Sequence, residues 1–406
     1  MLYILDTTST GSGLDCYFDL AVKDKAVLVT DSIEKYAKDI NRARLGEVRV
    51  ISHRDFNDAL ETGNWQYGAP QCIMSNSDAY LLLAAEASRR LGLPSPAPED
   101  LDFFMNKGDM RRAMTDAGLP TPKVHAVTNA CDALSYKDSF PVVAKPAKGT
   151  GSIGVKLCRD ARELAEWSTE AASVNDRNAG FLLEEFIPGP LYSMELIHRG
   201  EGDLVLLGHT NRALGPPPYF VETSYTFPVQ VPADVSQAVL RQVRVLCGDI
   251  QSAMMLHVEY VVDLKTGAPK LIEINPRVAG GMLSRMISLS LGESIFVICS
   301  KAWMQTPPES ITNTYSSGYF HTWKYADRDG EIVEMRMPHA MQGSSYVIDY
   351  FASKEVGDQV TPSMDFRGEI LSLLVGAKNS QLAADVGRNI IDSSEIRIRE
   401  KNATSV

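Results

Sequence analysis

Short apolar segments alternate with helical ones over the first hundred residues, and this alternation restricts the fold more than any other feature of the sequence. The apolar segments are LYILD, AVLVTD, VRVIS and QCIMS, and the clearest helix is DAYLLLAAEASRRLG. Strands joined by crossover helices form parallel sheets. We therefore expect an N-terminal α/β domain over residues 1–98, with a Rossmann-like parallel sheet. The proline-rich stretch LPSPAPED marks its end.

Length and proline positions predict two further regions. A chain of 406 residues is too long for one compact core. Pro307 and Pro308 mark a second boundary, which gives a central region at 99–305 and a small C-terminal α+β domain at 306–406. Within the central region, the strand-like KVHAV, FPVVAKP and SIGVKLC and a helix over ARELAEWSTEAASV predict a small lobe at about 121–185.

Charge and cysteine content restrict the partners and the compartment. The net charge is -11, and the basic residues are dispersed along the sequence. They form no basic cluster of the kind that binds nucleic acid or an anionic membrane, so small-molecule chemistry is favoured. The six cysteines form no Cys-x-x-Cys pair, as expected for thiols in a reducing compartment. The first residues resemble a core strand rather than a signal peptide, and MISLSLGESIFVICSKAWM is too short and too interrupted to span a bilayer. We expect a cytoplasmic protein.

The segment VVAKPAKGTGSIGV, residues 142–155, combines two lysines with a glycine-rich stretch. Glycines let backbone N–H groups approach phosphate oxygens, and a lysine adds a point charge. A strand-turn-strand hairpin with solvated lysines is the alternative. Lys145 favours the phosphate site because it lies within an apolar run, where a charged side chain needs a partner. The segment is not a Walker A loop, since no Gly-Lys-Ser/Thr follows the glycines.

An acidic hairpin is predicted over HVEYVVDLKTGAPKLIEINPR, residues 257–277, with its turn at 265–268. Strand alternation places Glu273, Asn275 and Arg277 on one face. Pairing across the hairpin would bring Glu259 to the same place, where two facing carboxylates need a cation. Oxygen ligands of this kind suit Mg²⁺ bound to nucleotide phosphates, with Mn²⁺ as an alternative ion. An exposed hairpin face with ordinary charges is the competing interpretation.

The order of these motifs resembles that of the ATP-grasp superfamily. The resemblance runs from NKGDMRRAMTDAGLPTPK through FPVVAKPAKGTGSIGV and LLEEFIPGPLYSMEL to HVEYVVDLKTGAPKLIEINPRVAGG, about half of the chain. Within the superfamily, HTNRALGPPPYFVETSYTFP and EINPRVAGGM look most similar to the L-amino-acid ligases, which join a carboxylate to an amine. The resemblance implies an ATP-grasp fold with a two-lobed nucleotide-binding region between the N-terminal and C-terminal domains.

The resemblance also implies roles for single residues. Lys107 and Lys145 resemble the lysines that contact nucleotide phosphates. Glu259, Glu273 and Asn275 resemble magnesium ligands, and Arg277 resembles the arginine at the transferring phosphoryl group. The flap over the phosphates would comprise Thr150, Gly151, Ser152 and Gly154, and the adenine site would comprise Glu184, Glu185, Phe186 and Ile187.

Two departures from the family pattern concern the nucleotide. Many relatives have a glutamate at the position of Leu191 to hold the ribose hydroxyls, and leucine cannot do so. Glu195 is one candidate substitute, and a plain strand residue is the alternative. Lys148 stands where relatives often have an acidic or small residue, and we expect it to be solvated.

The resemblance implies that a carboxylate attacks the γ-phosphate of ATP and that an amine displaces phosphate from the resulting acylphosphate. Arg277 would hold oxygens in both steps. His257, on the same strand face as Glu259, either contacts substrate and manages the amine proton or is structural. Glu222 either binds a substrate ammonium group or lies in a surface loop. The remaining substrate-site candidates are Ser224 and the pair Gly280 and Gly281, which would leave room for a larger side chain or serve the turn.

Two other functions stay open at the level of sequence. One is an ATP-dependent carboxylase similar to biotin carboxylase, and the other is a module that binds ATP without turnover. Retention of Lys107, Lys145, Glu259, Glu273 and Arg277 favours an enzyme. The predicted partners are a small-molecule carboxylate and an amine, and related ligases are often homodimers.

Overall fold

The computed structural model describes residues 1–7, 11–23, 25–149, 151–171, 180–311, 315–362, 364–365 and 368–400. The first unit is a parallel sheet in the strand order β3-β2-β1-β4. Its strands are β1 Leu2–Leu5, β2 Ala26–Val29, β3 Val50–Ile51 and β4 Cys72–Met74. The first helices are α1 Gly13–Lys23, α2 His53–Thr62 and α3 Leu81–Arg90, and 3₁₀ turns cover Ile33–Lys38 and Arg42–Glu47. The predicted α/β alternation is confirmed.

Two helices lead from this sheet towards the central part of the chain. They are α4 Pro98–Met105 and α5 Lys107–Asp116. Asn106 caps α5, because its side chain accepts hydrogen bonds from the backbone N–H groups of Gly108 and Asp109. Gly118, with a φ of 65°, follows the end of α5, as the sequence predicts.

A small antiparallel sheet with one helix occupies the segment predicted as a small lobe. Its strands are β5 Val124–Val127, β6 Val142–Pro146, β7 Lys156–Cys158 and β8 Phe181–Glu185, in the order β5-β8-β6-β7. The helix α6 Ala161–Ala171 packs on this sheet, and a 3₁₀ turn covers Ala130–Ser135. Trp167 and Phe181 meet edge to face at 5.3 Å between ring centroids in the core of this unit.

The central segment supplies long antiparallel strands and three apolar helices among the described residues. The strands are β9 Leu191–His198, β10 Leu204–Leu214, β11 Glu222–Val229, β12 Met254–Val262 and β13 Pro269–Asn275. The helices are α7 Ala233–Leu246, α8 Leu283–Leu291 and α9 Ile295–Trp303. The interpretation of Glu222 as part of a loop is wrong, because the segment ETSYTFPV alternates its side chains between two faces and pairs with β10.

The C-terminal segment adds further strands and helices. They are β14 Gly318–Tyr325, β15 Gly330–Arg336, α10 His339–Gly343, β16 Val347–Ala352, β17 Gln359–Val360, β18 Glu369–Ala377, α11 Ser380–Asp392 and β19 Glu395–Glu400. Within the described residues, β14, β18 and β16 extend the central sheet to eight strands, in the order β13-β12-β9-β10-β11-β14-β18-β16. The strands β17, β15 and β19 form a separate small sheet. One sheet therefore continues across the predicted boundary at residue 306.

The length and hydropathy of the helices in the described segments bear on whether one of them could span a bilayer. No single helix there is long and apolar enough to cross a membrane, and Leu283–Leu291 passes that test only together with Ile295–Trp303, across a bend of 96°.

Candidate active site

A cleft of about 680 Å³ lies where the parallel sheet, the small antiparallel sheet and the central sheet meet. This volume is typical of a site for a small molecule or cofactor. Both regions singled out in the sequence, the glycine-rich loop and the acidic hairpin, line this same cleft. One side of it is apolar and consists of Val143, Ile153, Leu157, Ile187 and Leu191. The cleft thus has an apolar part and a charged part in contact with each other.

The glycine-rich loop connects β6 to β7 and presents backbone to the cleft. Gly151 and Ser152 line the cleft and have φ values of 66° and 58°. Gly154 lies behind the loop, where its carbonyl accepts a hydrogen bond of 2.9 Å from the indole N–H of Trp167. Thr150 lies outside the described residues. The loop is therefore anchored at its far end by α6 while its centre faces the cleft.

Lys145 and Lys107 bring two ammonium groups to the cleft. Lys145 is buried, and its Nζ lies 2.7 Å from Oε2 of Glu184. Burial lowers the pKa of Lys145, and the neighbouring Glu184 only partly opposes this shift. The Nζ of Lys107 donates a hydrogen bond of 2.7 Å to the carbonyl of Gly149 and lies 3.2 Å from Oε2 of Glu273. Both cations therefore line the same cleft as the glycine-rich loop. Lys148, in contrast, forms a half-exposed ion pair with Asp102.

The predicted adenine residues follow one another at the end of β8. Glu184, Glu185, Phe186 and Ile187 all line the cleft. The carboxylate of Glu184 accepts from Arg111 Nε at 2.8 Å as well as from Lys145. Burial raises the pKa of Glu184, but Arg111 and Lys145 lower it more strongly, to about 2. Both of its oxygens are thus engaged with cations, and contact with adenine stays a prediction.

The acidic hairpin has the register that the sequence predicts. Glu259 lies directly opposite Glu273, and Asn275 lies opposite His257, with all four side chains at the cleft. Arg212 forms an ion pair with Glu259, and the His257 Nε2 lies 3.3 Å from the same carboxylate. Burial raises the pKa of Glu259, but Arg212 and His257 lower it more. Each facing carboxylate therefore has a cationic neighbour.

The side-chain oxygens of the hairpin suit a hard divalent ion that is also coordinated by oxygens of a bound ligand. No group of three His, Cys, Asp or Glu side chains in the described ranges could hold a metal by itself. Two carboxylates and one amide oxygen, at Glu259, Glu273 and Asn275, face a cleft with two lysines. Mg²⁺ commonly takes one or two carboxylates and completes its shell with phosphate and water oxygens. The residues are consistent with such a partial site.

Arg277 is held at the cleft by an acidic residue from the first unit. Its Nε and Nη2 each donate a hydrogen bond of 2.7 Å to the carboxylate of Asp78, which follows β4. The pKa of Arg277 is lowered by burial but raised more strongly by Asp78. Because the pair is bidentate, the guanidinium plane is fixed relative to the hairpin. Sequence analysis missed Asp78, which lies almost two hundred residues from Arg277.

A buried polar chain runs behind the metal-site candidates. His257 Nδ1 lies 2.9 Å from the carboxylate of Glu195, which also accepts from Ser193. Burial would lower the pKa of His257, but Glu195 and Glu259 raise it to about 9. The Nε2 atom of His257 also lies 3.0 Å from Nη1 of Arg212, so both ring nitrogens have partners, and a role towards the amine proton stays a prediction. Glu195 points to His257 and is not among the residues that line the cleft, which favours the alternative of a plain strand residue over a ribose ligand.

The predicted substrate residues divide into two groups. Glu222, Gly280 and Gly281 line the cleft, whereas Ser224 is buried outside it. Arg212 forms an ion pair with Glu222, and the Tyr225 hydroxyl donates to the same carboxylate. Sequence analysis missed Arg212, whose only signal was a charge inside the strand-like segment HTNRAL. The role of Glu222 towards an ammonium group stays a prediction.

Comparisons with protein families and solved structures agree with the interpretation of the cleft as a nucleotide site. Residues 138–285 match the family described as the ATP-grasp domain. The chain is therefore similar to ATP-grasp proteins over residues 138–285. A solved structure, an L-amino acid ligase from Bacillus licheniformis, superposes on it with a TM-score of 0.81 and 20% identity, covering 98% of each chain. The ATP-grasp architecture with its parallel sheet and large antiparallel sheet is therefore confirmed.

Two curated relatives are similar to part of this chain. The uncharacterised protein y4rH of Sinorhizobium fredii is 31% identical over 278 residues, 64% of this chain and 54% of the relative. Carnosine synthase 1 of Gallus gallus is 26% identical over 261 residues, 59% of this chain and 28% of the relative. The chain thus spans about half, or less, of the length of these relatives. A third relative, a D-alanine–D-alanine ligase of Stutzerimonas stutzeri, is 37% identical over 98 residues, 23% of this chain and 30% of the relative.

Proposed function

We propose that this protein is an ATP-dependent carboxylate–amine ligase. It joins an amino-acid-like carboxylate to an amine, such as that of an amino acid, and forms an amide or dipeptide with release of ADP and phosphate. The observation that carries the proposal is the facing pair Glu259 and Glu273 on the same cleft as Lys107, Lys145 and the glycine-rich loop. The similarity to an L-amino acid ligase and to carnosine synthase supports this reaction class.

The charges of the cleft suit transfer of the terminal phosphoryl group. Lys107 and Lys145 would bind phosphate oxygens, and the backbone of the loop at Gly151 and Ser152 would cover them. Mg²⁺, or Mn²⁺ in its place, would be held by Glu259, Glu273 and Asn275 and would neutralise phosphate charge. Positioning and charge neutralisation account for most of the catalysis in phosphoryl transfer.

Amide formation would proceed in two steps. An oxygen of the substrate carboxylate attacks the γ-phosphorus of ATP, the bond to the β-phosphate oxygen breaks, and ADP leaves with that electron pair. The neutral amine nitrogen of the second substrate then attacks the acyl carbon of the acylphosphate. Phosphate leaves with the electron pair of the acyl C–O bond and takes up the proton that the nitrogen loses. Arg277, fixed by Asp78, would donate hydrogen bonds to the oxygens that gain charge in both steps.

The location, the oligomeric state and the domain limits of the protein are part of the same proposal. A cytoplasmic location and a homodimer stay predictions, as do the domain limits at residues 98 and 305. The match of residues 138–285 to the ATP-grasp domain supports the proposed use of ATP.

Phosphate release from ATP and Mg²⁺ tests the proposal, with L-amino acids supplied singly and in pairs and with product masses measured. A ligase releases phosphate in proportion to the amide formed and depends strongly on a particular pair. Release that is stimulated by bicarbonate and biotin and not by amino acids would show a carboxylase instead. Absence of nucleotide turnover with every pair, despite ATP binding, would show a binding module.

A further inference from the structure

The far wall of the cleft carries a group of aromatic side chains that phosphate transfer does not use. Three neighbouring strands of the central sheet, β11, β14 and β18, present one face to this part of the cleft. Side chains alternate along β14, so that Phe320, Thr322 and Lys324 point to the other face. The residues of the cleft face are Tyr225, His321, Trp323, Tyr325, Glu369 and Ser372. We call this set the aromatic wall.

His321 is the central residue of the aromatic wall. Its side chain is paired in register with Tyr225, and its ring centroid lies 4.3 Å from that of Trp323 and 6.2 Å from that of Tyr225. It is 2% exposed, and in the part of the chain that the structure describes neither ring nitrogen has a hydrogen-bond partner. A buried polar group without a partner costs about 1–3 kcal/mol. A ligand in the cleft would supply the missing partner.

The chemistry of His321 restricts the kind of partner. Burial lowers the pKa of His321 to about 3, so the ring is neutral at physiological pH. A neutral imidazole has one N–H donor and one acceptor nitrogen. It is best satisfied by a group that also offers both a donor and an acceptor. A carboxamide and a heteroaromatic ring have this property.

The surroundings of His321 favour an uncharged, planar ligand. Arg212 already neutralises Glu222, the carboxylate next to Tyr225. Trp323 and Tyr225 meet edge to face at 4.8 Å, and such rings give planar groups an apolar surface to stack on. On the cleft floor, a Cβ added at Gly281 would meet no atom within 4 Å, so the space beside it is open.

We propose that the aromatic wall is the side-chain subsite for one amino-acid substrate, and that His321 selects a planar, uncharged side chain with a hydrogen-bond donor and acceptor, such as a carboxamide or an imidazole. The assignment of this ligand as a substrate rests on the proposed ligase function. The geometry of the wall does not depend on it, because the wall lies on β11, β14 and β18, away from the phosphate loop.

Direct binding measurements test the subsite without turnover. Calorimetry of the whole protein would compare L-glutamine with L-methionine, which has a similar length and no amide, and L-histidine with L-phenylalanine. We expect at least one polar member to bind about tenfold or more tightly than its apolar counterpart, since a site built for hydrogen bonds rejects ligands that leave it unpaired. The two pairs distinguish a carboxamide from a heteroaromatic ring. Equal or tighter binding of both apolar amino acids overturns the proposal.

Variants of His321 give a second, independent result. His321→Phe should remove the preference for the polar amino acid, and His321→Asn, which keeps a donor and an acceptor, should restore part of it. The matched control is His125→Phe on β5, an exposed histidine outside the cleft, which should leave the preference unchanged. A His321→Phe protein that keeps the wild-type preference overturns the assignment. Because these measurements need no ATP, failure of the ligase assay would leave them interpretable.

Discussion

Buried charges around the cleft occur in opposed pairs that join distant parts of the chain. Glu184 joins Arg111 of α5 to Lys145 of β6, and Arg277 joins the hairpin to Asp78 of the first unit. A buried charge costs much free energy unless it is paired and hydrogen-bonded. These pairs therefore fix the positions of the cations before any nucleotide binds.

Replacement of Glu184 by glutamine should destabilise the protein strongly. The substitution leaves Arg111 and Lys145 buried without a carboxylate, and breaking such a pair costs about 3–5 kcal/mol. Urea unfolding measures the loss. The matched control is Glu185→Gln, next in sequence but partly exposed, where the change in the free energy of unfolding should stay below about 1 kcal/mol.

The ion pairs of Glu184 also predict how the stability lost in Glu184→Gln depends on pH. The pKa of Glu184 is lowered to about 2 in the folded protein, so its stabilisation is complete above the unfolded value of about 4.5 and is lost as the pH falls towards 2. The difference in unfolding free energy between wild type and Glu184→Gln should shrink over that interval. A difference that stays constant from pH 6 to pH 2.5 would contradict the assigned ion pairs.

Replacement of Asp78 by asparagine should loosen Arg277 and slow catalysis. Asparagine cannot accept two hydrogen bonds from the guanidinium as a carboxylate does, and the misplacement should lower kcat by about 10- to 100-fold. The KM for ATP should change little, because the proposed phosphate ligands Lys107 and Lys145 are held by Glu273 and Glu184. Steady-state phosphate release measures both constants. Asp102→Asn, at the half-exposed pair with Lys148, is the control and should resemble wild type.

Single residues differ in how far the sequence could specify them. Glu259 and Glu273 were predictable, because strand alternation and a tight turn fix which side chains meet across a hairpin. Asp78 and Arg212 could not be predicted, because their ion-pair partners lie on other elements and no local sequence pattern indicates them. The two interpretations of Glu195 could not be separated for the same reason, since its partner His257 lies on a neighbouring strand.

At the scale of elements, local signals predicted some boundaries and missed others. The start of α5 was predictable from Asn106, and its end from Gly118. The strand β11 was missed because three prolines before it favoured a loop, yet pairing with β10 and β14 holds it in the sheet. The strand β19 was missed because its charged alternation EIRIRE resembles a polar tail until it pairs with β15.

The cap of α5 offers a test at the element scale, because Lys107 is the first residue of that helix. Asn106→Ala should cost about 1 kcal/mol of stability and also raise the KM for ATP by displacing Lys107. Asn379→Ala, the N-cap of α11 away from the cleft, should lose similar stability with an unchanged KM. Thermal unfolding and steady-state kinetics measure the two effects. An equal KM change in both variants would contradict a specific role for the α5 cap.

At the scale of the whole molecule, the cleft exists because three sheets meet at one place. The parallel and small sheets were predictable from alternation and turns, but their contact with the central sheet depends on tertiary packing. The continuation of the central sheet into β14, β18 and β16 was also hidden, because each of these strands looks like part of an independent α+β unit. This continuation is what brings the aromatic wall to the cleft.

Nucleotide binding between these sheets should stabilise the whole protein. At a free concentration of 100 Kd, a ligand that binds only the folded state adds about 2.7 kcal/mol. A nonhydrolysable ATP analogue should therefore raise Tm, and more so with Mg²⁺ than with EDTA. Glu273→Gln should remove most of the additional rise with Mg²⁺, whereas Glu293→Gln, an exposed glutamate on the surface, should keep it. Equal shifts with and without Mg²⁺ in the wild type would contradict the metal site.

A crystal structure of the protein with the nonhydrolysable ATP analogue and Mg²⁺ tests the central claim most directly. We predict that the terminal phosphate lies between Lys107, Lys145 and the loop at Gly151 and Ser152, with Mg²⁺ about 2.0–2.1 Å from oxygens of Glu259, Glu273 and Asn275. Density for the nucleotide outside this cleft, or for the metal on other side chains, would contradict the account.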